Sequence, residues 1–138
     1  MKNLITALCF ITLFVTGSLA QRKIEDGGLK GFTASPNEHI MNEIEEPFTV
    51  HSIEGVVVDS SGSPMPGVLV EIRGPGDEQT FHSAVTDSKG RYRIKHVKQG
   101  TYIFKTTLLS FQSEYGKIVV SKKTNPKARV DLKLQPGV

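Results

Sequence analysis

Tryptophan is absent from the 138 residues, and the single cysteine, Cys9, lies in an apolar run from Leu4 to Val15 broken only by Thr6 and Thr12. A short basic start, Met1-Lys2-Asn3, precedes the run, and Gly17-Ser18-Leu19-Ala20 follows it with small residues at the positions of a signal-peptide cleavage site. The expectation is a secretory leader over residues 1–20, cleaved after Ala20, with a secreted or periplasmic product. The run falls short of the roughly 20 residues of a spanning helix, so no transmembrane anchor is expected after leader removal. Cys9 has too much apolar sequence after it to be a lipid-attachment cysteine. Without the leader the chain has no thiol, which excludes disulfides, thiolate metal sites and cysteine nucleophiles. Such a domain must be held together by its core alone.

A strong charge bias is also missing. The formal net charge is +3, or +2 once Lys2 leaves with the leader, too little to point to nucleic acid. The charges are unevenly placed. Residues 21–50 carry Glu25, Asp26, Glu38, Glu43, Glu45 and Glu46, whereas later residues include Arg91, Arg93, Lys95, Lys98, Lys122, Lys123, Lys127, Arg129 and Lys133. Residues 21–47 read as a flexible linker, broken by Gly27-Gly28, Gly31 and Ser35-Pro36. Within it, Asn37 is placed to cap one helical turn carrying Ile40, Met41 and Ile44 before Pro47 ends it.

What is present in quantity is β-branched alternation. The stretch Ile53 to Ile72 sets Val56-Val57-Val58 and Val68, Val70 and Ile72 on either side of Asp59, Gly62, Pro64, Pro66 and Gly67. Branched side chains suit a pleated surface, and the middle cannot continue a helix. Further strands are expected over Phe48–Val58, Val68–Arg73, Thr80–Thr86, Arg91–Lys95, Thr101–Leu109, Glu114–Ser121 and Ala128–Leu134. Phe81 and Val85 are expected inward, and Ile103 and Leu109 suggest partial burial on the second face of their strand. About seven strands, with no amphipathic helix among them, make an all-β domain over residues 48–135 whose two sheets share one core.

Three segments then stand in order: Gly55-x-Val57-x-Asp59-x-x-Gly62-x-Pro64-x-Pro66-Gly67-Val68-x-Val70, Thr86-Asp87-x-x-Gly90-x-Tyr92, and Gly100-Thr101-Tyr102. Together they resemble the carboxypeptidase regulatory-like domain family. The resemblance implies a transthyretin-like (prealbumin-like, Greek-key) β-sandwich over about Ser52 to Leu134, used as an accessory module on exported and surface proteins. The motif residues have physical roles in turns. Asp59 and Asp87 can accept backbone N–H groups, and Gly62, Gly90 and Gly100 suit positive φ. Neither acidic loop has the several oxygens that calcium needs.

Enzymes of related fold imply other patterns. Hydrolases of 5-hydroxyisourate have paired histidines, an arginine and a Tyr-Arg-Gly-Ser ending, whereas this chain ends Leu134-Gln135-Pro136-Gly137-Val138. The spacing of His51, His82 and His96 brings no two together. Intradiol dioxygenases require tyrosines and histidines for iron, a layout that Tyr92, Tyr102 and Tyr115 do not match. His-Glu-x-x-His, a zinc peptidase pattern, does not occur. No catalytic residue, metal or cofactor is therefore expected. A basic stripe remains, Arg91, Arg93 and Lys95 alternating on one face and extended by Lys105, as a surface for an acidic glycan, an anionic lipid or the acidic linker. The expected function is a non-enzymatic accessory module with an unidentified protein or glycan partner. A carbohydrate-binding variant would use Phe111 or Tyr115 as its platform, and a transthyretin-related hydrolase is the enzymatic alternative. Exposed edge strands leave self-association open.

Overall fold

The computed structural model describes residues 29–34, 41–75 and 80–137. The expected leader lies outside these residues, as do positions 21–28 and 35–40 of the expected linker. Eight strands follow in order: β1 (Met41–Val50), β2 (Ile53–Val58), β3 (Leu69–Arg73), β4 (Phe81–Val85), β5 (Arg91–Ile94), β6 (Gly100–Thr107), β7 (Ser113–Val120) and β8 (Leu132–Lys133). They form a five-stranded sheet ordered β1-β7-β6-β3-β4 and a three-stranded sheet ordered β5-β2-β8. The all-β sandwich expected from the alternation is the architecture found.

The core is the space between the sheets. Ile53, Val57, Tyr92, Ile94 and Leu132 close it from the small sheet, against Val70, Ile72, Tyr102, Phe104, Ile118 and Val120 from the large one. Val68, Val130 and Leu134 fill its margins and have no exposed surface. Each such side chain stabilises the fold by about 1.5–3 kcal/mol relative to full exposure. Alternation generates this wall because successive side chains leave opposite faces of a strand.

Several expectations are corrected. The region Phe48–Val58 is two strands rather than one. The chain leaves the large sheet at Val50, turns through His51-Ser52 and enters the small sheet at Ile53, so one continuous pattern serves both walls. Met41 to Pro47 belongs to β1 and not to a flexible linker, and its first four residues are extended rather than helical. They pair in parallel with Ser113–Gly116, and the register shifts between Ile44 and Phe48. The shift coincides with Glu45-Glu46-Pro47, where a proline without an N–H is accommodated at a sheet edge.

β4 has the opposite phase to the expected one. His82 and Ala84 stand opposite Ile72 and Val70 and share their core-facing side. Val85 is 60% exposed, and Leu109 is 70% exposed. Phe81 lies on the outer face of the large sheet, where residues 29–34 cover it. Phe32 meets the Phe81 ring edge-on at 5.1 Å, and the Arg73 guanidinium sits 5.6 Å from the centre of the Phe32 ring. This cover explains why Glu71 and Lys105, register partners across β3 and β6, are buried on a face that the alternation assigns to solvent. Glu71 accepts the Thr33 N–H at 3.0 Å, and Lys105 Nζ donates to the Thr33 carbonyl.

Candidate functional site

The motif residues build the turns that hold the strand ends. Asp59 Oδ1 accepts the backbone N–H groups of Ser61 and Ser63 and the Ser61 hydroxyl at 2.9, 3.0 and 2.6 Å. The Ser61 hydroxyl bond, followed by the Ser63 amide, holds this carboxyl below the usual aspartate range. Asp87 accepts the amides of Lys89 and Arg91, each at 2.9 Å. The Arg91 amide is the main cause of its similarly lowered value. Both carboxylates are thereby engaged in local geometry.

Pro66-Gly67 carries the chain from that turn back toward β3. Gly67, at φ +75°, donates its N–H to the Thr86 carbonyl. The Thr86 hydroxyl, buried, accepts the Val68 N–H at 2.9 Å and donates to the Met65 carbonyl at 2.6 Å. Gly90 has φ +72°, and a Cβ there would lie 2.5 Å from the Val57 carbonyl oxygen. Gly100 adopts φ +151° against Pro75. Tyr92 donates its phenol to the Val130 carbonyl at 2.6 Å, and burial raises its pKa, with the nearby Asp131 adding to the effect.

The basic stripe is altered by its neighbours. Arg91 and Arg93 project from exposed positions of β5, but Arg91 Nε lies 3.1 Å from Asp87 and Arg93 Nε 3.5 Å from Glu54. Lys105 does not extend the stripe. It belongs to the other sheet and is 1% exposed beneath residues 29–34. The surplus of positive charge lies instead at one end of the sandwich, in loops 51–52, 95–99 and 121–127. Lys95, Lys98, Lys122, Lys123 and Lys127 stand there without an aspartate or glutamate in those loops. Ser121 N–H donates to the Val50 carbonyl and Lys122 N–H to the Gln99 side chain, so the loops are physically joined.

Open cavities touch this sheet among the described residues. One, of about 540 Å³, lies along Glu54, Gly55, Ala84, Val85, Asp87 and Arg91 and mixes both charge signs. Another, of about 360 Å³, opens where β2 and β5 part, lined by His51, Ser52, Arg93, Lys95 and His96 together with apolar Ile53, Ile94 and Val97. Linear spacing places no two histidines together, but the antiparallel β2–β5 ladder does. Ile53 pairs with Ile94 and Glu54 with Arg93, which leaves the residues beyond those pairs flanking one opening. His82 on β4 is not among them. The signal is available only through strand pairing.

His51 and Glu54 have the spacing His-x-x-Glu, but Glu54 faces Arg93. No group of three or more metal-ligating side chains occurs among the described residues. The aromatic platform is also corrected: Tyr115 is 7% exposed, and Phe111 is half-buried beside Pro136.

Residues 52–135 match the family model described as the carboxypeptidase regulatory-like domain. No curated protein sequence matches the chain. A chain of a mutant type II cohesin–X–dockerin complex from Acetivibrio cellulolyticus is 25% identical, with a TM-score of 0.43 over 60% of this chain and 56% of that one. Klebsiella pneumoniae 5-hydroxyisourate hydrolase is 18% identical, with a TM-score of 0.43 over 66% of this chain and 90% of its own. Chlorocatechol 1,2-dioxygenase from Pseudomonas putida is 13% identical, with a TM-score of 0.40 over 70% and 63%. The chain thus spans less than two thirds of the cohesin-complex and dioxygenase chains.

Proposed function

The chain belongs to the carboxypeptidase regulatory-like domain family, and from that premise we propose that it is a non-enzymatic accessory module, exported by its leader and acting at the cell envelope or outside it. The observation carrying this reading is that the motif residues serve the scaffold. Asp59 and Asp87 accept turn amides, the Thr86 hydroxyl ties the end of β4 to the segment before β3, and Tyr92 anchors the segment before β8. The module's role is then to present a surface to a protein or glycan partner. Arg91 and Arg93 on the outer face of the small sheet, with Lys95 in the loop that follows β5, form the part of that surface suited to an acidic partner.

The test is cross-linking of the protein in its own envelope or secreted fraction, alongside a variant with Arg91, Arg93 and Lys95 changed to glutamate. A defined cross-linked species that the variant loses, while its circular dichroism is unchanged, supports the reading. An identical cross-linking pattern for both proteins, or none for either, counts against it.

A hydrolase is the second reading, favoured by one observation: His51, His96 and Arg93 line one cavity. Paired imidazoles can act as general base and acid, and a guanidinium can orient an anionic substrate. The Tyr-Arg-Gly-Ser ending associated with 5-hydroxyisourate hydrolysis is replaced here by Leu134-Gln135-Pro136-Gly137-Val138. A spectrophotometric assay for 5-hydroxyisourate loss separates the readings. Turnover abolished by His51→Asn would establish the enzyme, and a rate equal to the uncatalysed one would dismiss it.

A further inference from the structure

We propose that the cavity where β2 and β5 part is a binding site for a small organic anion headed by a carboxylate or phosphate. The proposal goes beyond the accessory-module reading, because its ligand is a small molecule and not the macromolecular partner.

The polar lining is made of donors. Arg93 and Lys95 supply N–H groups, Ser52 a hydroxyl, and His51 and His96 imidazoles, while among the described residues no carboxylate lines the cavity. Glu54, the carboxylate nearest in the ladder, contacts Arg93 through Nε. A guanidinium has five N–H donors, so that pair does not exhaust it. The cavity volume of about 360 Å³ is within the range of small-molecule pockets and exceeds the needs of a bare ion. Ile53, Ile94 and Val97 give it an apolar floor for a carbon skeleton.

Two features are unusual for a merely solvated rim. His51 Nδ1 is buried without a hydrogen-bond partner, although such groups are normally satisfied. His96 adopts φ 61°, a left-handed conformation that strains a non-glycine residue. The conformation brings an imidazole to the rim where a glycine would satisfy the backbone. Around the opening, loops 51–52, 95–99 and 121–127 contribute five lysines and no carboxylate, and this field draws anions toward the cavity.

Titration of the protein with inorganic phosphate and with citrate, followed by NMR of the histidine rings, tests the site. Sodium chloride at matched ionic strength is the control. Saturable movement of His51 and His96, with His82 unmoved, is the expected result. Arg93→Gln and Lys95→Gln alter exposed side chains and leave the fold intact, and each weakens binding about tenfold. Equal movement in chloride, unsaturable movement, or unchanged affinity in both variants overturns the proposal. Phosphatidylglycerol vesicles offer the same phosphate on a surface. Vesicle binding that free phosphate does not displace and that leaves His51 unmoved also overturns it. No macromolecular cross-linked species from the natural protein, with this titration intact, would reject the accessory-module reading alone.

Discussion

Replacing Gly55 by alanine inserts one methyl group where the structure has no room for it. A Cβ at this position would lie 2.0 Å from the Val130 carbonyl oxygen and 2.5 Å from the Val130 carbonyl carbon. Both are backbone atoms, and Cβ has no rotamer by which to avoid them. The segment before β8 must therefore retreat by more than an ångström to reach ordinary contact. That segment is held by three hydrogen bonds: Val130 N–H to the Glu54 carbonyl at 2.9 Å, Val56 N–H to Asp131 at 2.9 Å, and the Tyr92 phenol to the Val130 carbonyl at 2.6 Å. At about 1 kcal/mol each, their loss destabilises the domain by about 3 kcal/mol, a large part of the 5–15 kcal/mol typical of a domain. Urea unfolding followed by circular dichroism should show a midpoint lower by about 2 M, for a slope of about 1.5 kcal/mol/M. Gly62→Ala is the matched control. Gly62 has φ +86°, and a methyl group there would meet nothing within 4 Å, so its cost is backbone strain alone, about 1 kcal/mol. If Gly55→Ala shifted the midpoint no more than Gly62→Ala, the argument from close approach would be refuted.

Thr86→Val keeps the shape of a buried side chain but orphans the Val68 N–H and the Met65 carbonyl, and calorimetry should show a loss of about 2–4 kcal/mol. For Glu71 and Lys105, a double-mutant cycle with methionine at each position should give a double variant more stable than the sum of the singles by at least about 1 kcal/mol, since either single change strands a buried polar group; strict additivity would show that the two are not coupled. Burial raises the Glu114 carboxyl above 4.5, against the opposing bond from Asn42, so the native state binds this proton more tightly than the unfolded chain does. Its contribution favours folding below the ordinary glutamate value and is lost as pH rises through the raised one. Urea midpoints measured across that window should fall less steeply with rising pH in Glu114→Gln than in the natural protein. Asp59 and Asp87 act in the opposite sense, because their lowered values add stability above the ordinary aspartate value that is lost on acidification.

The sandwich is legible in the sequence because its core strands alternate and its turns carry glycine, proline and aspartate at fixed intervals. β1 is not. Met41-Asn42-Glu43-Ile44-Glu45-Glu46-Pro47 is acidic and weakly patterned, and it becomes a strand only by pairing with β7, some seventy positions later in the chain. The burial of Lys105 is hidden for a related reason. Period-two alternation distinguishes the two faces of a strand but not which face another segment covers, and residues 29–34 cover this one. Phe81 and Val85 read as core residues because they are the large apolar residues of β4, yet the ladder to β3 places small Ala84 and His82 there. The cavity's histidines lie forty-five positions apart and are brought together by the β2–β5 ladder.

The parallel pairing of β1 with β7 has a consequence for how the molecule is displayed. Met41 lies beside Ser113, and Pro136 bridges to Phe111, so the backbone passes through the same pole at both of these points. Val50 and Val120 mark the opposite pole, about 30 Å away for a ten-residue strand, and the donor-lined opening is there. A tether joined through the segment that follows Pro136 would leave that opening facing outward, like a lamp at the far end of its stem.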